Sequence, residues 1–274
     1  MFGKLIKHEW RATAPTQGLL ALAALGISIL AGFVLRMLTN YGEEMPMLLD
    51  VGIGISLGFM ALGFVACFAA MWFLLLVRFY KNKFTDEGYL TFTLPVNSHQ
   101  IFLSSFVNML IWSVIGFLMV ILGVGIFLII GLADLSQVDM SQLLQEFQWV
   151  TQELPAVPEL AVTYTVQTVL AVPYSIIITM TCITAGAVIA KKHKILAAFG
   201  IYYGISYVTG IITSIAMVLF SMRNLDHLLS STADMPIYDS TIQSMLVTIT
   251  LEVILMVGGY ILSTQLMKRK LNLP

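Results

Sequence analysis

The chain has 274 residues, 58% of them hydrophobic and only 11% charged, with a formal net charge of −1 and a mean hydropathy of +0.91. Soluble domains carry roughly 25% charged residues, so this composition excludes an ordinary soluble protein and predicts an all-α integral membrane protein. Cys67 and Cys182 both fall inside apolar runs, which offers neither a disulfide framework nor a thiolate metal site.

The chain opens with MFGKLIKHEWRAT, which places Phe2, Leu5, Ile6, Trp10 and Thr13 on one helical face and Lys4, Lys7, His8 and Arg11 on the other. That spacing predicts an amphipathic helix over residues 1–14. Its apolar face, with Phe2, Ile6 and Trp10 as the deep positions, suits the headgroup region of a membrane. Pro15 is expected to end this helix and let the chain turn into a first span. The uncharged run Ala12–Leu35 is longer than the apolar core of a signal peptide and reads as that span.

A crossing helix needs about 20 apolar residues, and six segments qualify: 16–38, 49–78, 101–133, 160–190, 195–222 and 241–266. Alternation with period two is absent, so these are helices rather than barrel strands. Between spans two and three lies FYKNKFTDEGYLTFTLPVN, residues 79–97, flanked by the uncharged runs Val51–Val77 and Ile101–Ala133. Thr85 is a good N-cap there, and Asp86 and Glu87 favour the positive end of a helix dipole. Leu90, Phe92 and Leu94 add apolar surface, Pro95 stops the helix, and Ser98 can cap the third span. About two turns of helix are expected within 85–94. A loop that merely returned the chain could be five residues long, as Lys191–Ile195 is between spans four and five.

The remaining connections are 39–48, 134–159 and 223–240, with Leu143–Glu153 a candidate surface helix acting as a lid. The fourth span carries Tyr164, Thr168, Ala171, Ser175, Thr179, Cys182 and Gly186 on one small, weakly polar face. Helix packing accounts for such a face, and a transport pathway is the other reading. Gly54-x-x-x-Gly58 and Gly200-x-x-x-Gly204 permit close helix contacts in the same way. Glu252, in LVTITLEVILM, falls near mid-span, where a charge costs roughly 2.5 kcal/mol or more. No Lys or Arg occupies another span's centre to pair with it. It is expected to be protonated, to bond a hydroxyl such as Thr248, or to face a wet cavity, as structural glue or as a functional group.

Lys and Arg set the orientation. Twelve of the fourteen lie before the first span or after the second, fourth and sixth; only Arg36 and Arg223 lie opposite. Six spans with both termini in the cytoplasm follow, in a cell membrane.

With this layout in view, RFYKNKFTDEGYLTFTLPV and the KHEWRAT start resemble the permease subunits of ABC-2-type transporters. They are similar to half-permeases of Gram-positive bacteria, some of which export phenol-soluble modulins or handle antimicrobial peptides. The resemblance implies an N-terminal elbow helix, and a coupling helix between spans two and three that seats in a cleft of an ATP-binding subunit. Asp86, Glu87, Gly88, Tyr89 and Phe92 would be its contact residues. It also implies a second permease half, and ATP and Mg bound by the partner.

No G-x-x-x-x-G-K-[ST] occurs, so this chain is not expected to hold nucleotide itself. No H-E-x-x-H, serine-nucleophile turn or histidine cluster appears either, and an enzyme is not expected. Taken with the resemblance, the chain reads as a single transmembrane domain, half of an ATP-driven exporter of amphipathic or antimicrobial-type peptides, with lipid but no nucleic acid among its partners. The candidate pathway groups are Glu252, Thr248, Tyr164, Ser175 and Thr179. A non-transporting six-span peptide-binding or immunity protein is one rival reading; an ion-coupled carrier using Glu252 is another.

Overall fold

The computed structural model describes residues 2–41, 46–85, 88, 96–131, 158–190, 192–223 and 235–269. They form six helices: α1 (Phe2–Tyr41), α2 (Met47–Phe84), α3 (Ser98–Gly131), α4 (Pro158–Ile189), α5 (Lys194–Arg223) and α6 (Met235–Arg269), with no strand among the described residues. Each is long and apolar enough to cross a membrane, where only a helix satisfies its own backbone groups without water. The described chain is thus an all-helical, multi-pass membrane protein.

Most helix limits fall within a turn or two of the expected spans, but α1 begins at Phe2 rather than residue 16. Pro15 lies inside it and does not end an N-terminal helix. A proline removes one backbone donor and crowds the carbonyl four residues back. Here the surrounding turn is held by side chains. Thr13 Oγ1 lies 3.0 Å from the Glu9 carbonyl and 3.1 Å from that of Trp10, while Thr16 Oγ1 donates to the Thr13 carbonyl. Arg78 Nη1 reaches the Ala12 carbonyl at 3.4 Å. Tertiary contacts therefore carry the helix through the proline.

A second expectation changes at α3. Ser98 is its first residue, and the Asn97 carbonyl accepts from the amides of Gln100 and Ile101. Asn97, not Ser98, thus sits at the N-cap position. Likewise Thr85 does not open a new helix through its hydroxyl, which donates back to the Lys81 carbonyl at 2.6 Å and closes the last turn of α2.

The chain divides into two compact units. The first comprises Met1–Arg78 and Val107–Gln145, hence α1, most of α2 and most of α3. Within it α1 and α3 run parallel, as Thr13 meets Trp112 and the glycines at 32 and 123 meet Ile130 and Ser28. The opposite numbering of the Gln17–Met71 and Ala12–Arg78 contacts makes α2 antiparallel. The buried stripe of α1 is small and polar (Thr13, Gln17, Ala21, Ala24, Ser28, Ala31), which lets helices approach closely without lipid between them. A Cβ on Gly123 would stand 2.8 Å from both Phe64 and Ser28 Oγ, so glycine sets that spacing.

The second unit comprises Phe79–Phe106 and Glu146–Pro274. α4 is its central helix: half of its most apolar window is buried, and it packs on both α5 and α6. Gly186 lets α5 turn back against it, since a Cβ there would lie 2.6 Å from the Ala198 backbone nitrogen. α4 and α6 run parallel, with Thr181 accepting from Ser263 Oγ at 3.0 Å and Gly259 lying over Thr181 and Ile177.

Candidate functional site

In the first unit, polar side chains of α1 recur every fourth residue, at Glu9, Thr13 and Gln17, and all three are buried. Thr13 Oγ1 accepts from Trp112 Nε1 at 2.9 Å, and Gln17 Nε2 donates to the Met71 carbonyl at 2.9 Å. Trp10 stacks on Trp112, their ring centroids 4.7 Å apart and planes 12° from parallel. Arg78 Nε stands 3.8 Å from Glu9 Oε2, beyond hydrogen-bond length but within ionic range. These bonds knit the first four turns of α1 to α2 and α3. Phe2, Ile6 and Trp10 are half-buried, while Lys4, Lys7, His8 and Arg11 are exposed. The sequence reading put Trp10 on a lipid-facing side and passed over Glu9 and Arg78. The available signal was an acid spaced i, i+4, i+8 with Thr13 and Gln17, on the side of a helix whose other charges are all basic.

About three turns further along α1, that helix, α2 and α3 line a partly open apolar cavity of about 380 Å³ whose walls include Ile27, Ala31, Phe64 and Phe127. The hydroxyl of Ser28, its polar wall, is already donated to the Ala24 carbonyl.

The stretch between spans two and three belongs to the second unit. Phe79 packs edge-on against Phe84 and Phe102, at centroid distances of 5.7 and 6.4 Å. Phe102 in turn meets Tyr260 of α6 at 5.6 Å, and Tyr260 Oη lies 3.1 Å from His99 Nδ1. The last turn of α2 and the first of α3 are thereby clamped to the end of α6 by aromatic contacts, each worth about 0.5–1.5 kcal/mol beyond area burial. Between them, Asp86, Glu87, Tyr89 and Phe92 lie outside the described residues, as does nearly all of the helix expected at 85–94. Gly88 is described: it is buried, and its amide donates to the Thr85 carbonyl at 2.7 Å.

A second polar constellation lies along the α4–α6 seam. Gln167, Tyr174 and Thr181 follow at intervals of seven on α4, while Glu252 and Gly259 do so on α6. A seven-residue spacing returns to nearly the same face of a helix, so these residues share one interface. Tyr174 lies within electrostatic range of Glu252, Tyr202 and Cys182, while the Thr209 hydroxyl of α5 donates to the Ser206 carbonyl at 3.0 Å. Glu252 Oε2 is buried without a hydrogen-bond partner, as is Gln167 Oε1. The expected partner Thr248 instead spends its hydroxyl on the Ser244 carbonyl at 3.0 Å. A Thr four residues back satisfies its own helix before it can reach sideways.

Of the other pathway candidates, Tyr164 is exposed and Ser175 and Thr179 donate to carbonyls of their own helix. The residue set within electrostatic range of Glu252 is Tyr174, which sequence spacing alone did not single out. Among the described residues neither Gly-x-x-x-Gly motif makes a close helix contact, since a Cβ at Gly54, Gly58, Gly200 or Gly204 would meet nothing within 4 Å. Among the described residues, no group of three His, Cys, Asp or Glu side chains could hold a metal ion. No protein-family model matches the chain, and no curated protein or solved structure matches it.

Proposed function

We propose that this chain is the membrane-spanning half of an ATP-driven ABC-2-type exporter, whose ATP-binding subunit is a separate protein that engages the 79–97 stretch from the cytoplasm. One observation carries the reading furthest. Phe102 and His99 pack on Tyr260 of α6 in the second unit, while the helices on either side of the stretch, α2 and α3, continue into the first unit. A force applied between Phe84 and Val96 would act on a base stiffened by Phe79, Phe84, Phe102 and Tyr260 and would travel along two spans at once. A plain return loop needs no such base. The asymmetry of Lys and Arg supports a cytoplasmic placement for this segment. Amphipathic peptides suit the apolar spans as cargo. A second permease half, identical or related, would complete the transporter.

The test is co-purification from bacterial membranes with a candidate ABC ATPase encoded beside this chain. The reading expects a stable complex whose ATP hydrolysis exceeds that of the isolated ATPase. Isolation of this chain without an ATPase, under conditions that preserve other membrane complexes, would overturn it.

A further inference from the structure

We propose that the cavity between α1, α2 and α3 is a binding site for one acyl chain of a membrane phospholipid. Its volume, about 380 Å³, falls in the range of sites that hold small ligands, roughly 300–1,000 Å³. The sequence makes it by leaving out side chains on one face of α2. Gly58 and Ala61 stand on that face, three residues apart, and a Cβ on Gly58 would meet nothing within 4 Å. At the back the helices close up. A Cβ on Gly123 would lie 2.8 Å from Phe64 and from Ser28 Oγ, and Ser28, Ala31 and Gly123 are buried. Gly58, Ala61 and Val124 are exposed and form the rim. The cavity therefore has its floor on α1 and its mouth between α2 and α3.

Depth decides what stands at that mouth. At 1.5 Å per residue, Ser28 lies about 12 Å from Arg36 along α1, and Gly123 about 12 Å from the end of α3. One leaflet of the hydrocarbon core is about 15 Å deep, half of roughly 30 Å. The mouth thus opens on acyl chains rather than on headgroups or water. Water is a poor occupant because it needs about two to four polar partners. The one hydroxyl in the wall, that of Ser28, is donated to the Ala24 carbonyl. An extended peptide fails the same test, since its backbone amides would stay unpaired. A hydrocarbon chain brings no polar atom and restores the dispersion contacts that the lining of a void forfeits.

The site lies wholly within the first unit and does not depend on the exporter reading. It is tested on the full chain, extracted into a detergent with a rigid steroid body, washed, and weighed by native mass spectrometry. A single phosphatidylcholine per chain should survive washing. Phosphatidylglycerol with the same acyl chains should do equally well, because the headgroup lies outside the cavity. Gly58→Leu puts a side chain into the cavity and should lose the bound lipid. Gly54→Leu is the control: it stands one turn away on α2, also in open space but outside the cavity wall, and should keep the lipid. Adding phosphatidylcholine back should raise the unfolding midpoint of the parent and of Gly54→Leu while leaving Gly58→Leu unmoved. If Gly58→Leu does not accumulate in the membrane, Ala61→Leu takes its place in both measurements. Equal retention by the parent and the filled variant overturns the site. So does retention of phosphatidylglycerol alone, which would put the lipid at a basic headgroup contact. A filled variant that loses a dimer of the chain instead of a lipid would assign the cavity to a second copy, and overturns the site as well.

Discussion

Arg78 ends the first of the two segments that make up the first unit, and its guanidinium is shared between the Glu9 carboxylate and the Ala12 carbonyl. Breaking a buried pair by removing one partner costs more than the pair contributes, because the remaining charge stays out of water. Arg78→Gln is therefore expected to cost about 3 kcal/mol, moderated by the partial exposure of the arginine. Glu9→Gln combined with Arg78→Gln should recover part of that loss, which unfolding in micelles of the two variants can measure. A double variant no more stable than Arg78→Gln alone would mean that the charges do not interact. Trp112→Phe separates the stack on Trp10 from the hydrogen bond to Thr13. It keeps the first and loses the second, and should cost about 1 kcal/mol.

The helices themselves were legible because lipid leaves a spanning chain only one option, and runs such as Val51–Val77 and Ile101–Ala133 contain no charge to interrupt it. Their partners were not legible. The heptad face Gln167–Tyr174–Thr181 was hidden behind the equally periodic Tyr164–Thr168–Ser175–Thr179 face, and only packing against Glu252 and Gly259 tells them apart. Pro15 misled for a related reason, since propensity marks a helix end while the bonds of Thr13 and Arg78 lie far away in sequence. With α1 continuous through Pro15, spin labels at Lys4 and Leu20 should stand about 24 Å apart along the axis, at 1.5 Å per residue. An elbow at Pro15 would shorten that distance and return the helix to the membrane plane. Glycines give a second test at this scale. Gly186→Ala presses a Cβ onto the α5 backbone, which cannot rotate away, and overpacking of this kind costs about 1–3 kcal/mol. Gly204→Ala meets open space and should leave unfolding of the isolated chain unchanged.

At the scale of the whole molecule the question is whether the 79–97 stretch is a handle or a hinge cover. Its base and its tip can be altered separately. Phe102 is fully buried among Phe79 and Tyr260, and truncating a buried phenylalanine costs about 3–5 kcal/mol. Phe102→Ala should therefore lower the unfolding temperature of the chain and weaken any coupling to an ATPase together. Asp86, Glu87 and Tyr89 supply two acidic groups and one aromatic ring from the sequence between α2 and α3. Their triple replacement by alanine should leave membrane insertion and thermal stability at the parent level while abolishing stimulated ATP hydrolysis or subunit association. The two variants thus predict different pairs of readouts, stability with coupling for the base and coupling alone for the tip. A triple variant with full stimulation would leave the stretch as a return loop on an aromatic clamp, and the ATP-binding partner would have to engage the chain elsewhere or not at all.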